Sequence, residues 1–164
     1  MLRIPLYVLL AVSLLVISPI QAQDGASFED VKAKTFSKEK FMFPDGVNGA
    51  GLNVLFLAMS EDQDNGEYQQ GALLEWHAAL AERGVFTEEV VAWHFPVMPS
   101  PPFFVKGLIA GAMRDAYEGK ISLDHGGILY VDDLDAFATA AGLAADAQPT
   151  IVIASADAVP LKSF

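Results

Sequence analysis

The sequence predicts an α/β domain with a central mixed sheet of four to five strands flanked by helices, and three observations lead there. Leu52 to Met59 is a continuous apolar run of strand length, the pattern of a strand buried on both faces. A helical pattern follows it, with Leu73, Trp76 and Leu80 on one face, and then Glu89 to Phe95, rich in Val and aromatic residues. That strand, helix, strand order implies a crossover and therefore parallel pairing. Thr150 to Ser155 and Val159 to Phe164, separated by a turn at Asp157, read as an antiparallel hairpin, which makes the sheet mixed.

The elements are justified in chain order. Arg3, the apolar run Ile4 to Ile20 and the ending Ile20-Gln21-Ala22 have the form of a cleavable secretory signal peptide over residues 1–22. Export to the periplasm or the exterior is the expectation, with no stable membrane anchor once the signal is removed. Residues 23–40 are polar, with Phe28, Val31 and Phe36 scattered among charges, and read as a loosely ordered arm. One domain over residues 41–164 is expected after it. Pro44-Asp45-Gly46 and Asn48-Gly49 mark turns before the first long strand.

Asp64 is placed to cap the first helix, with Glu67 completing a capping box and Gly84 as its stop. The second strand is expected to end at Pro96. Ser100-Pro101 has the form of a second helix start, with Gly119 as its end. Val105, Ile109, Met113 and Ala116 form one apolar line along it, and Phe104, Leu108 and Ala112 lie beside them. So apolar a helix is expected to be mostly buried, and Gly107 and Gly111, four apart, leave room for another backbone. After a Gly126-Gly127 turn come a short strand, Ile128 to Val131, and a brief helix capped at Asp132 or Asp133 and closed by Gly142.

This order, with the lead-in FMFPDGVNG and the later LDAFATAAGL followed by QPTIVIAS, resembles the redoxin branch of the thioredoxin-like fold. The resemblance implies a nucleophilic cysteine just after the first long strand, where this chain reads MSEDQDNGEY. The chain has no cysteine at all, so thiol-disulfide exchange and thiol peroxidase chemistry are excluded. Ser60 is no substitute, because its alcohol is hardly ionised near neutral pH. The resemblance also implies a C-terminal helix over one sheet face, which is apparently absent from the sequence up to Phe164; the expectation is that either the N-terminal arm covers that face or the sequence is a fragment.

Lack of cysteine in a chain expected to be exported means that burial and hydrogen bonding alone must hold it. The net charge of −11 repels phosphate backbones and anionic lipid surfaces, so nucleic acid is not an expected partner.

Two stretches are candidate binding sites for a protein or peptide. Gln148, Pro149 and Thr150 match the position at which the thioredoxin family has a cis proline; a cis Pro149 would let an extended peptide add to the strand. The second is the loop carrying Pro96, Pro99, Pro101 and Pro102 with Met98, Phe103 and Phe104, stiff and apolar and so inexpensive to dock. Core packing of Phe103 and Phe104 is the competing expectation.

The acidic stretch Glu61 to Glu67 does not fit a calcium loop, because its glycine and closing glutamate are out of register. His77, His94 and His125 have no metal-ligand spacing, and neither a metal nor a cofactor is expected. There is no nucleophile elbow and no phosphate loop; Ser60 with His94 is the one hydrolytic pairing to test. The sequence thus points to an exported, non-redox binding protein of the cell envelope, with an enzyme using the acidic turn after the first long strand as the alternative.

Overall fold

The computed structural model describes residues 26–47 and 51–164. The expected signal peptide, 1–22, lies outside the described residues. Strands β1 (Val31–Lys34) and β2 (Lys40–Phe43) form a small antiparallel hairpin, Val31 opposite Phe43. Then follow β3 (Leu52–Met59), α1 (Gln63–Glu82), β4 (Val90–Pro99), α2 (Phe103–Tyr117), a single 3-10 turn at Leu123–His125, β5 (Leu129–Val131), α3 (Leu134–Ala140), β6 (Thr150–Ser155) and β7 (Pro160–Ser163). The main sheet has the order β5-β4-β3-β6-β7, with β3, β4 and β5 parallel and β6 and β7 antiparallel. The mixed α/β architecture is the one the sequence predicts.

Period-two alternation divides the central strands between two cores. Leu55, Leu57 and Met59 of β3, with Trp93, Phe95 and Val97 of β4, face the larger one, closed by α3 through Leu134 and Phe137. Val54, Phe56 and Ala58 turn to the opposite face, under α1 and its Leu73. Both faces of β3 are covered, which is why its sequence is apolar from Val54 to Met59. Asn53, fully buried, is tolerated because both ends of its amide are used: it accepts from Trp93 Nε1 at 3.1 Å and donates to the Ser155 carbonyl at 2.9 Å.

The segment 23–40 differs from expectation over its described part. Phe28 and Val31 are buried in the larger core, where Phe28 meets Phe43 edge-on at 5.0 Å and Phe137 at 5.8 Å. The scattered apolar residues of this segment are one face of a hairpin, and they supply enough burial to order it. The hairpin packs on the α3 side, so it does not cover the sheet face under α1. Past β1, Thr35 bridges Gly127, and Phe36 stacks on Tyr117 at 4.9 Å in a third, smaller core beneath α2. Gly126-Gly127 is thus a close backbone approach as well as a turn: a Cβ on Gly127 would collide with the Lys34 carbonyl.

Three local boundaries also move. Asp62, two residues before Asp64, caps α1 by accepting from the Asn65 amide at 2.8 Å, and Glu67 instead accepts from Gln63. Strand β4 runs through Pro96 to Pro99. Its carbonyl at His94 accepts from Gly127, so Pro96, two residues on, turns its amide-less nitrogen the same way, where pairing with β5 begins only at Val97. The proline therefore removes no bond to β3. Helix α2 starts at Phe103 with Pro102 as an N-cap that offers no side-chain bond, two residues later than the Ser100-Pro101 pattern suggests.

Candidate functional site

The parallel strands β3, β4 and β5 end on one side of the sheet, and β6 begins there. Register places Phe95, Leu57 and Thr150 in one row across β4, β3 and β6, so everything C-terminal to that row on β3 and β4 belongs to this end. A cleft of about 480 Å³ opens here, lined by Met59, Ser60, Asp62 and Asn65 from the β3-to-α1 junction, Leu134 and Asp135 of α3, and Ala145 to Ala147. The junction is rigidly built. Gln69, with no solvent exposure, accepts from the Met59 amide at 2.9 Å and donates to the Met59 carbonyl at 3.1 Å and the Asp146 carbonyl at 3.0 Å. One side chain thus ties β3, α1 and the loop before β6 together.

Ser60 sits at the mouth of the cleft, in the stretch where the family resemblance implies a cysteine. Its hydroxyl donates to the Asp62 carbonyl at 2.9 Å and accepts from the Asp62 amide and from Asn65 Nδ2. Those bonds hold the helix start. They leave Ser60 without a base, since His94 is buried elsewhere: its Nε2 meets His77 Nδ1 at 3.0 Å under α1. The Ser60 and His94 pairing considered from sequence is therefore not formed.

Gln148, Pro149 and Thr150 border the cleft through Asp146, whose carboxylate accepts from the Gln148 amide at 2.7 Å. The Gln148–Pro149 bond is trans; among the described residues the cis peptide bond precedes Pro44. Strand β6, which Thr150 opens, is bonded to β3 on one side and β7 on the other. Thr150 pairs with Leu57 of β3, and bonding to the β7 segment occupies β6 from Ile151 onward; with Pro149 trans, the cis-proline premise of strand addition is corrected.

Met98, Phe103 and Phe104 do not line this cleft. Met98 is partly buried against the third core, while Phe103 and Phe104 are 91% and 82% exposed and Leu108 is 76% exposed. The expectation of a mostly buried α2 is overturned. Only Tyr117 is fully buried on it, with Ile109 and Met113 partly packed, because α2 lies at the β5 side of the sheet and touches its neighbours along one narrow stripe. Sequence periodicity reports that a helix is apolar all round, not whether a second surface exists to cover it.

The His77 and His94 contact was invisible in the sequence. The crossover brings His77 on α1 over His94 on β4, and Phe56 stacks on the His94 ring at 4.4 Å with the planes 4° apart. Burial, reinforced by His77, holds His94 down to about 3, and burial also lowers His77. Both rings are consequently neutral near pH 7, one donating to the other. His77 and His125 line a separate hollow of about 160 Å³. Among the described residues no group of three or more His, Cys, Asp or Glu side chains is placed to hold a metal, and no helix is long and apolar enough to cross a membrane.

No protein-family model matches the sequence, and no curated protein does. Solved structures do resemble it. Yeast Sco1 superposes with a TM-score of 0.56 at 8% identity, covering 87% of this chain and 84% of that one. BsSco, a member of the Sco family of cytochrome c oxidase assembly proteins, gives 0.54 at 9%, covering 88% and 87%. The reduced 2-Cys peroxiredoxin of Plasmodium vivax gives 0.50 at 12%, covering 85% and 69%. At such identities the likeness defines the fold, which is thioredoxin-like. The chain is a cysteine-lacking representative of that fold.

Proposed function

We propose that this chain is an exported, non-redox protein of thioredoxin-like fold that binds a protein or peptide partner, and that α2 with the loop leading into it is the docking surface. The observation that carries the reading is the exposure of Phe103, Phe104 and Leu108 on one short helix. Together they present roughly 500 Å² of apolar surface, at the upper end of what a monomer ordinarily shows. Large aromatic anchors of this kind dominate binding energy when a partner covers them. The Pro101-Pro102 pair fixes the backbone before Phe103, so little entropy is lost when the surface docks.

Export rests on the signal-like residues 1–22, and the non-redox character on the lack of a sulfur nucleophile. The cleft beside Ser60 supports an enzyme less well, since its hydroxyl is committed to the start of α1. Affinity capture from envelope extract, with the natural protein and a Phe104→Ala variant as baits, tests the proposal. Specific recovery of a protein by the natural chain, reduced at least tenfold by Phe104→Ala, is expected. Equal recovery by both baits overturns it.

A further inference from the structure

From the outward face of α2 we infer that its occupant is a second copy of this chain, paired helix to helix across a two-fold axis. This rests on the reading of α2 as a docking surface and names the partner.

The face has a directional pattern. Ile109, Met113 and Tyr117 point to the third core, so helical geometry puts Phe104, Gly107, Leu108, Gly111 and Asp115 on the opposite side. All five are exposed, and a Cβ on Gly107 or Gly111 would meet nothing within 4 Å. The N-terminal half of the stripe is bulky and the C-terminal half, from Gly111 to Ala112, is small. A surface of that kind is complementary to itself when reversed. An antiparallel pair crossing between residues 109 and 110 sets Leu108 of each copy into the notch at Gly111 of the other and brings Phe104 over Asp115.

Charge agrees with the reversed arrangement. The N-cap of α2 is Pro102, which supplies no side-chain bond to the first amides, and no acidic residue lies in the first turn. The positive end of the helix is thus not compensated by its own cap or first turn, and Asp115 of the second copy arrives beside it. The outward stripe carries no cation, since Lys106 turns inward over the Tyr130 ring at 4.7 Å. A net charge of −11 and a stripe whose charge is acidic suit an anionic lipid surface poorly. The apolar area is below the roughly 800 Å² per partner of a standard interface, so a weak pair, with Kd in the micromolar range, is expected.

Sedimentation equilibrium of the full-length protein, with Gly111→Leu, Leu108→Ala and the double variant, tests this. Gly111→Leu fills the notch and weakens pairing at least about tenfold, while its helix is retained in far-ultraviolet circular dichroism because leucine favours helix over glycine. Leu108→Ala weakens pairing too. The double variant exchanges knob and notch and restores pairing to within about threefold of the natural chain. A natural protein that stays monomeric to about 0.5 mM, or a dimer indifferent to Gly111→Leu, overturns the inference. If the monomer still captures a different protein in a Phe104-dependent way, self-pairing fails and the docking surface stands. If the chain pairs with the expected pattern but captures no other protein, the two-fold pair stands and a different partner is dismissed.

Discussion

Nε2 of His94 lies 3.0 Å from Nδ1 of His77, and the His94 ring is sealed between Phe56 and α1, its own Nδ1 having no partner among the described residues. A proton can be added to His94 only by placing a charge in that apolar setting.

Stability should therefore fall with acid. The folded value of about 3 lies below the ordinary 6.5, so the unfolded chain takes up the proton first. The stabilisation is fully present above pH 6.5 and is lost as the pH drops toward 3. The loss between pH 7 and pH 5 is about 2 kcal/mol from His94, and His77, also lowered, adds in the same direction. Urea unfolding across this range should show a steep slope that flattens in His94→Phe. Equal slopes in the two proteins would remove the account.

Gln69→Glu tests the tie between β3, α1 and the loop before β6. A carboxylate accepts but cannot donate, so the carbonyls of Met59 and Asp146 lose their partner in a buried site. A destabilisation of about 2–4 kcal/mol is expected by urea denaturation. A loss below about 0.5 kcal/mol would mean that water replaces the amide.

Two glycine substitutions should move in opposite directions. Gly127→Ala drives a methyl into the Lys34 carbonyl and should cost about 1–3 kcal/mol as the hairpin shifts off the sheet. Gly71→Ala, inside α1 with nothing within 4 Å, should add about 0.5–1 kcal/mol. Thermal unfolding of both variants checks the pair of signs.

Asn53→Leu removes the acceptor for Trp93 Nε1 and the donor to the Ser155 carbonyl while keeping volume. A destabilisation of about 2–3 kcal/mol is expected, with a shift in Trp93 emission. An unchanged emission maximum would show that the indole is not held by this bond.

The central sheet was legible because β3 and its neighbours are buried on both faces, and burial writes itself into sequence as a mainly apolar run, Val54 to Met59 in β3. The hairpin was not. Val31–Lys34 and Lys40–Phe43 are four residues each and together carry three lysines, so their alternation is too short to separate from a polar linker. Pro96 misled in the other direction, since its nitrogen faces away from β3, toward the side where ladder pairing with β5 begins only at Val97. Of the candidate site residues, Phe103 and Phe104 were visible as apolar side chains in a stiff loop, and their exposure was not. The meeting of His77 and His94 depends on how α1 crosses the sheet, which no spacing within seventeen residues encodes.

Asn53 and Ser155 are 102 residues apart in the chain yet side by side in the sheet. Because β3 has β6 as one of its two neighbours, its pairing cannot be completed until the chain has been synthesised through Ser155. Closing so long a loop is slow relative to forming α1, and the apolar side chains of β3 stay accessible to water, and to carrier proteins, throughout that interval.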